Sequence, residues 1–511
     1  MKRIFGILFA LVLLVSLGLV TAAPVLAGTT IHVPGEYATI QEAIDAASSG
    51  DTIMVAVGTY AAFQVTGKNN IHIIGAEGAT VATTNLYTAL PVVGNAWVLA
   101  AVYDSEEVNI EGINFDGTGV SGETVVVGIA YVDSTGSIAD LTVENIIGTE
   151  LGAGVAIIGD VSTSTVEMTG ATVSNNGAVG EGAGIYVCGG STLEAHFNTI
   201  MANYAFGLAN DGGGMVDATY NWWGDKSGPR HLTENLLGKG NAIIGDVDFK
   251  PWLRAEVVTE TVSNKTVDAI EEADTEVVVK GKATVTIAKY PSNPHPSSSV
   301  YGAAAFLDFA ALSNEFKELN IFRDVRVTRF EHGTWVEIRL YYTDAQARRF
   351  DEDSLRPFWW NGDGWVPCSP EDAASGVNTT DITIDNIKYS GYMWAKITAN
   401  TTPSLADLQG TPWGGYGHPT EVDDVCGCFI ATAAYGTDTA KEIDILREFR
   451  DAVLLPNSLG AKFVSLYYKT SPPIANFISR HEVLRTVVRL CFLDPIVAIL
   501  NWSHGLWSAR T

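Results

Sequence analysis

Hydrophobic and polar positions first fall into order between Ala38 and Tyr60, in the run ATIQEAIDAASSGDTIMVAVGTY. Ile40, Ala43, Ile44 and Ala47 recur at i, i+3, i+4 and i+7, one face of a short helix. Thr39 and Glu42 have capping-box spacing and would satisfy orphan donors at its start. Ser48-Ser49-Gly50-Asp51 breaks the helix, with Gly50 suited to a left-handed turn position, and Thr52 to Val57 then reads as a buried strand. So small a helix cannot stand alone, so its apolar face must cover something.

What it covers is suggested by the next stretch, where the period changes from helical to short alternation. Between Ile71 and Trp223, GINFDG (112–117), LTVENIIG (141–148), ATVSNNG (171–177), NTIMANY (198–204) and ATYNWWG (218–224) repeat one another loosely. Val143, Val173 and Ile200 hold equivalent places at a spacing typical of solenoid repeats. Each unit is a short β-branched run followed by Asn and Gly, and a second short run such as GVAIIG or GAGIYVCG. Two or three strands per turn would stack as parallel sheets with apolar side chains inward. The recurrent Asn would form a ladder of side-chain amides bonded to the backbone. A β-sandwich has similar strand content, but it needs neither the helix nor the repeat phase. With its N-terminal helix and repeats, residues 28–254 resemble the right-handed parallel β-helix proteins of the pectin-lyase-like type. Asn221-Trp222-Trp223-Gly224 with Gly228-Pro229, then GDVDFKPWL (245–253), resemble the ending of many secreted β-helix repeat regions.

From 255 to 402 the runs DVRVTRF (324–330), WVEIRLYY (335–342), DITIDN (381–386) and GYMWAKIT (391–398) alternate, with turn residues between them. They predict a β-sandwich of Ig-like type. Asn361-Gly362-Asp363-Gly364 predicts a hairpin between aromatic strands. Residues 403–425, rich in Gly, Pro and acid, read as a linker. Beyond it the pattern becomes helical: Ile443, Leu446, Phe449 and Val453 form a stripe. The expected fold class is therefore mainly β: a right-handed parallel β-helix, a β-sandwich module and a small α-helical C-terminal domain.

Charge narrows the choice of partners. The 511-residue chain carries a net charge of −27, which argues against nucleic acid. Residues 426–511 depart from this, with nine Lys/Arg against seven acids, net +2, leaving −29 on the remainder. At the other end, Lys2 and Arg3 precede the apolar run Ile4 to Val20, and Val25-Leu26-Ala27 fits a cleavage site. Residues 1–27 are thus expected to be a signal peptide, with a retained anchor as the alternative. The protein is then extracellular or held at the cell surface or envelope. Five cysteines are too few and scattered for a disulfide framework.

Candidate chemistry in the coil is sparse. Between Lys68 and Lys226 there is no Lys or Arg, against eighteen acids. Polysaccharide lyases of this fold typically use acid-held Ca²⁺ and a cationic base, which this coil would have to borrow from its end. That makes Asp225, Lys226, Arg230 and His231 the catalytic candidates. Glycoside hydrolysis needs only carboxylates and stays open. Asp116, Asp133 and Asp160 read as turn residues. No cofactor is expected, and Ca²⁺ remains open without a motif. Trp222, Trp223 and Trp360 are candidate sugar platforms. Neighbours in a strand point to opposite faces, however, so at most one of the first two would be exposed and the other would plug the last coil.

Cys426-Gly427-Cys428-Phe429-Ile430-Ala431-Thr432-Ala433-Ala434-Tyr435-Gly436, with LREFRD (446–451), LLPNSLGAKFVSLYY (454–468) and SPPIANFI (471–478), resembles the CFI-box C-terminal domain of exported prokaryotic proteins. The resemblance implies sorting, anchoring or assembly, and no reaction. Cys426 and Cys428 form a candidate thiol pair, open between redox, metal and modification roles; a metal site would need further ligands. Basic, aromatic helices ending in Trp502 and Trp507 suit contact with a membrane surface, and a soluble helical bundle is the alternative. The reading favoured is a non-catalytic adhesive, structural or glycan-binding surface protein whose partners are envelope polysaccharide and membrane surface. An extracellular polysaccharide lyase or glycosidase is the alternative.

Overall fold

A computed structural model describes residues 28–83, 86–120, 122–178, 182–296, 299–300, 316–368, 374–419, 429–435, 441–450, 454, 467, 471, 475, 478 and 482–507. The segment 1–27 and the pair Cys426 and Cys428 lie outside the described residues. The chain divides into two compact units, Met1–Trp252 and Leu253–Thr511.

The first unit is a parallel β-helix. An eight-stranded sheet runs from Thr30–Val33 to Val216–Asp217, and a six-stranded sheet from Gly58–Ala61 to Thr199–Met201. A nine-stranded sheet completes each coil, its one antiparallel member being Tyr87–Leu90 against Gly94–Tyr103. Alternation dictates the rest: Ile53, Ile73, Ile110 and Ile138 point inward and are fully buried. Helix Ile40–Ala46 closes the N-terminal end, its capping box formed by Thr39 and Glu42, with Ile40, Ala43 and Ile44 buried in the coil's core. Gly50 turns the chain into the next strand at φ +91°. Val143, Val173 and Ile200, equivalent in the sequence repeat, are register partners.

Buried side-chain ladders tie the coils together. Asn176 Oδ1 accepts from Ile146 N at 3.0 Å, while Asn176 N donates to Asn203 Oδ1 at 3.0 Å. Asn203 N in turn donates to Asn241 Oδ1 at 2.9 Å. A second ladder has serine rungs: the N–H groups of Ser105, Ser134 and Ser164 each donate to the hydroxyl of the next serine, ending at Ser191. Each bond satisfies a backbone donor that a tight corner would otherwise leave unpaired in the interior. On the outer face of the nine-stranded sheet lies a separate apolar cluster of Val98, Val127, Ala130, Ala156 and Ile158, with Leu86 and Val93 packed against it.

The second unit begins with two sheets of seven and five strands, antiparallel except where Ser299–Val300 runs beside Gly364–Pro367. Val277, Val285, Ile321, Ile338, Leu340, Met393 and Trp413 share one core. Residues 403–425 are not simply a linker: Gln409–Gly417 is an interior strand of the seven-stranded sheet, between Lys317–Thr328 and Arg356–Trp360. The glycines that suggested a loop are packing sites. A Cβ on Gly414 would stand 2.9 Å from the Phe322 ring, and one on Gly415 would stand 2.6 Å from Met393. Trp413 from the same run is fully buried.

The chain then turns helical, with Phe429–Tyr435, Lys441–Phe449, Glu482–Val488 and Asp494–Trp507, the last two joined by the π turn Arg489–Leu493. Ile443 is fully buried, as its stripe predicts.

Candidate functional site

The end of the coil gathers most of the residues singled out from sequence, and their bonds are those of a cap. Asn221 is fully buried. Its Oδ1 accepts from Asn198 N at 2.9 Å, and its Nδ2 donates to the carbonyls of Ala195 at 2.6 Å and Ala218 at 2.8 Å. Trp223 points inward and is fully buried with Phe249 and Val247 in the coil core; Trp222 pairs with Thr199 on the outside and is half-buried. Trp223 is therefore a plug and no sugar platform. A neighbouring glycine fits the same closure: a Cβ on Gly228, at φ +77°, would stand 2.3 Å from the Trp252 ring.

The four catalytic candidates follow this plug in the chain, and two of them are bonded within the local turn. Asp225 accepts from Ser227 Oγ at 2.6 Å and Ser227 N at 2.8 Å, and these bonds hold its carboxyl below the usual range. His231 Nδ1 accepts from Glu234 N at 3.2 Å, and its ring lies 5.4 Å from that of Phe249. Lys226 and Arg230 are exposed. Asp225 is thus occupied as a turn cap, and Nδ1 of His231 is taken by the backbone.

Trp360 is covered. The His295 ring stacks on it at 3.9 Å and 13°, and Trp365, fully buried, meets it edge-on. Burial holds the imidazole below its ordinary pKa, so the neutral ring occupies the indole face. Among the described residues no group of three or more His, Cys, Asp or Glu side chains is placed to hold a metal ion.

Sequence reasoning missed the outward columns of the β-helix. On the six-stranded sheet, Thr59 pairs with Thr80 and Thr80 with Asn114; Thr142 pairs with Thr172 and Thr172 with Thr199. Asn114 Oδ1 joins the two runs by accepting from Thr142 N at 3.0 Å. On the eight-stranded sheet Ser137, Glu167, Glu194 and Asp217 pair in succession, and His196 Nε2 lies 3.8 Å from Asp217 Oδ2. Parallel strands lie about 4.8 Å apart, so each column presents one polar group at that interval. The detectable sign in sequence was the first residue of each short run: Thr142, Thr172 and Thr199, each preceding its inward Val or Ile.

No protein-family model matches this sequence, and no curated relative does. Among solved structures, the Dettilon tailspike protein is similar over 76% of this chain and 94% of that one, at 9% identity and a TM-score of 0.11. At that score the likeness carries no argument, and the assignment of a parallel β-helix rests on the sheets themselves.

Proposed function

We propose that this is an exported surface protein whose β-helix holds a linear, hydroxyl-rich polysaccharide along its outward polar columns without cleaving it, and whose residues 426–511 associate it with the envelope. The observation that carries the reading is the unbroken column from Thr59 to Thr172, one hydrogen-bonding group per coil, which stops at the buried Thr199. Repeated weak contacts along a polymer add through effective concentration, so no single strong pocket is required. The acidic coil selects against polyanions: a neutral or amino-bearing glycan is favoured, and a uronic-acid polymer would need Ca²⁺ between its carboxylates and those of Glu167, Glu194 and Asp217. The pectin-lyase-like resemblance of the coil supports a glycan ligand, and the CFI-box resemblance of 426–478 supports export and association with the envelope.

The competing reading is a glycoside hydrolase. It is favoured by Glu167, Glu194 and Asp217 on successive strands, because carboxylates at such spacing suit retaining hydrolysis, with His196 beside them. One experiment separates the two readings. The full chain is passed over columns of neutral, amino and acidic polysaccharides, with and without Ca²⁺, and new chain ends are counted in the flow-through. Retention that falls in Thr142→Val/Thr172→Val, with no new ends, is expected. New ends that disappear in Glu194→Gln would establish the hydrolase, and no retention on any matrix would sink the polymer-binding reading.

A further inference from the structure

The C-terminal helices carry a second interaction surface. Glu482–Val488, Arg489–Leu493 and Asp494–Trp507 follow without a break. One side is inward: Val497 and Leu500, 7% and 8% exposed, pack with Ile445, while Leu446 and Phe449 flank them. The other side leaves large apolar side chains in water: Val487 is 43% exposed, Leu490 55%, Phe492 61%, Ile496 46% and Ile499 63%.

The π turn makes these one surface. In a regular α-helix Val487 and Phe492, five residues apart, would diverge by about 140°. Here Asp494 N–H donates to Arg489 O, an i→i+5 bond that brings residues five apart towards one face. Val487 and Phe492 thereby align, and Ile496 and Ile499 continue the face through the next turns. Such inserted turns cost helix regularity and concentrate at functional sites.

We infer that this face docks on an anionic lipid bilayer, lying in its interface. Charge chooses lipid over a protein partner. Residues 426–511 are net +2 in a chain whose remainder carries −29, so this is the part drawn towards an anionic surface. No described helix is long and apolar enough to cross a membrane, and a helix lying in the interface needs no such span. The inference rests on the envelope role given above to 426–511 and is independent of the polysaccharide.

The test is flotation of the full chain with vesicles of equal parts phosphatidylcholine and phosphatidylglycerol, beside vesicles of phosphatidylcholine alone. Binding to the mixed vesicles is expected, weakened by salt, and reduced more than about tenfold in Phe492→Asp/Ile499→Asp. A probe that needs no destabilising variant is Cys491, exposed on the same π turn. Carrying an environment-sensitive dye in a Cys426→Ser/Cys428→Ser background, it should shift to the blue on the mixed vesicles. No flotation, equal flotation with both vesicles, an unshifted dye, or a dimer dispersed by the double variant without lipid binding would each overturn the inference. Polysaccharide retention, read on the same protein, fails or survives separately.

Discussion

The backbone N–H of Asn198 donates to Oδ1 of Asn221 at 2.9 Å, across one coil, and the same oxygen accepts from Asn198 Nδ2 at 3.0 Å. One side-chain amide thus closes the asparagine ladder at the point where the repeats stop. Replacing Asn221 by Ala would strand the buried Asn198 N–H and two carbonyls. A loss of about 2–3 kcal/mol is expected in denaturant unfolding. Trp223→Ala should cost about 3–5 kcal/mol by emptying the end of the core. Trp222→Ala, on the other face of the same strand, should cost much less, and equal losses at the two tryptophans would contradict the plug.

Asp51 holds the N-terminal closure by accepting from Thr29 N at 2.7 Å, Ser48 N at 2.8 Å and Thr29 Oγ1 at 2.9 Å. The bonds from Ser48 and Thr29 keep its carboxyl below the ordinary value of 3.8. A lowered carboxyl stabilises the fold above that ordinary value and loses the contribution as pH falls through the folded one. Asp51→Ala is therefore expected to cost about 2 kcal/mol at neutral pH, the difference from the parent shrinking below pH ~4 in thermal melts.

Asp324 has the opposite sign. Fully enclosed beside Tyr290, whose Oη donates to it at 2.8 Å, it is pushed by burial from 3.8 up to about 6. The folded state keeps a proton that the unfolded chain has already released, so its contribution is complete below the unfolded value and lost as pH rises through about 6. Asp324→Asn removes this dependence. The variant should gain on the parent by about 3 kcal/mol between pH ~4 and pH ~7.5. Parallel pH–stability curves would place Asp324 in water.

His295 offers an optical readout of its stack on Trp360, 3.9 Å away. A charged imidazole that close to an indole quenches its emission. Because burial lowers the pKa from 6.5, the quenching step should be centred below that value and vanish in His295→Gln. A depressed His stabilises the fold above its unfolded pKa and loses the contribution as pH falls, so acid should also loosen the segment carrying it. Emission that titrates identically in His295→Gln would show that the stack is absent in solution.

Much of the coil was legible because its sequence signals are repeated. Val143, Val173 and Ile200 sit where their spacing put them, the Thr39–Glu42 box caps its helix, and Asn176, Asn198 and Asn203 form the expected ladders. The serine ladder was not legible: Ser105, Ser134, Ser164 and Ser191 stand in turns, where serine is ordinary for local reasons. TPWGGYG at 411–417 misled for the reverse reason. Its glycines look like loop residues, but Gly414 and Gly415 are small because Phe322 and Met393 occupy the space. At the candidate site, the bonds of Asp225 to Ser227 and of His231 to Glu234 were not legible, because each partner lies within a turn whose form the sequence does not signal.

Each ladder advances by one rung per coil along its run, while both ends are closed by unrelated devices, the helix Ile40–Ala46 and the Trp223 plug. Length is therefore decoupled from closure. Duplicating or deleting one complete turn would change the molecule's reach in increments of about 4.8 Å and leave its cross-section, caps and surface spacing as they were. The coil behaves as a ruler, its size a number to be counted.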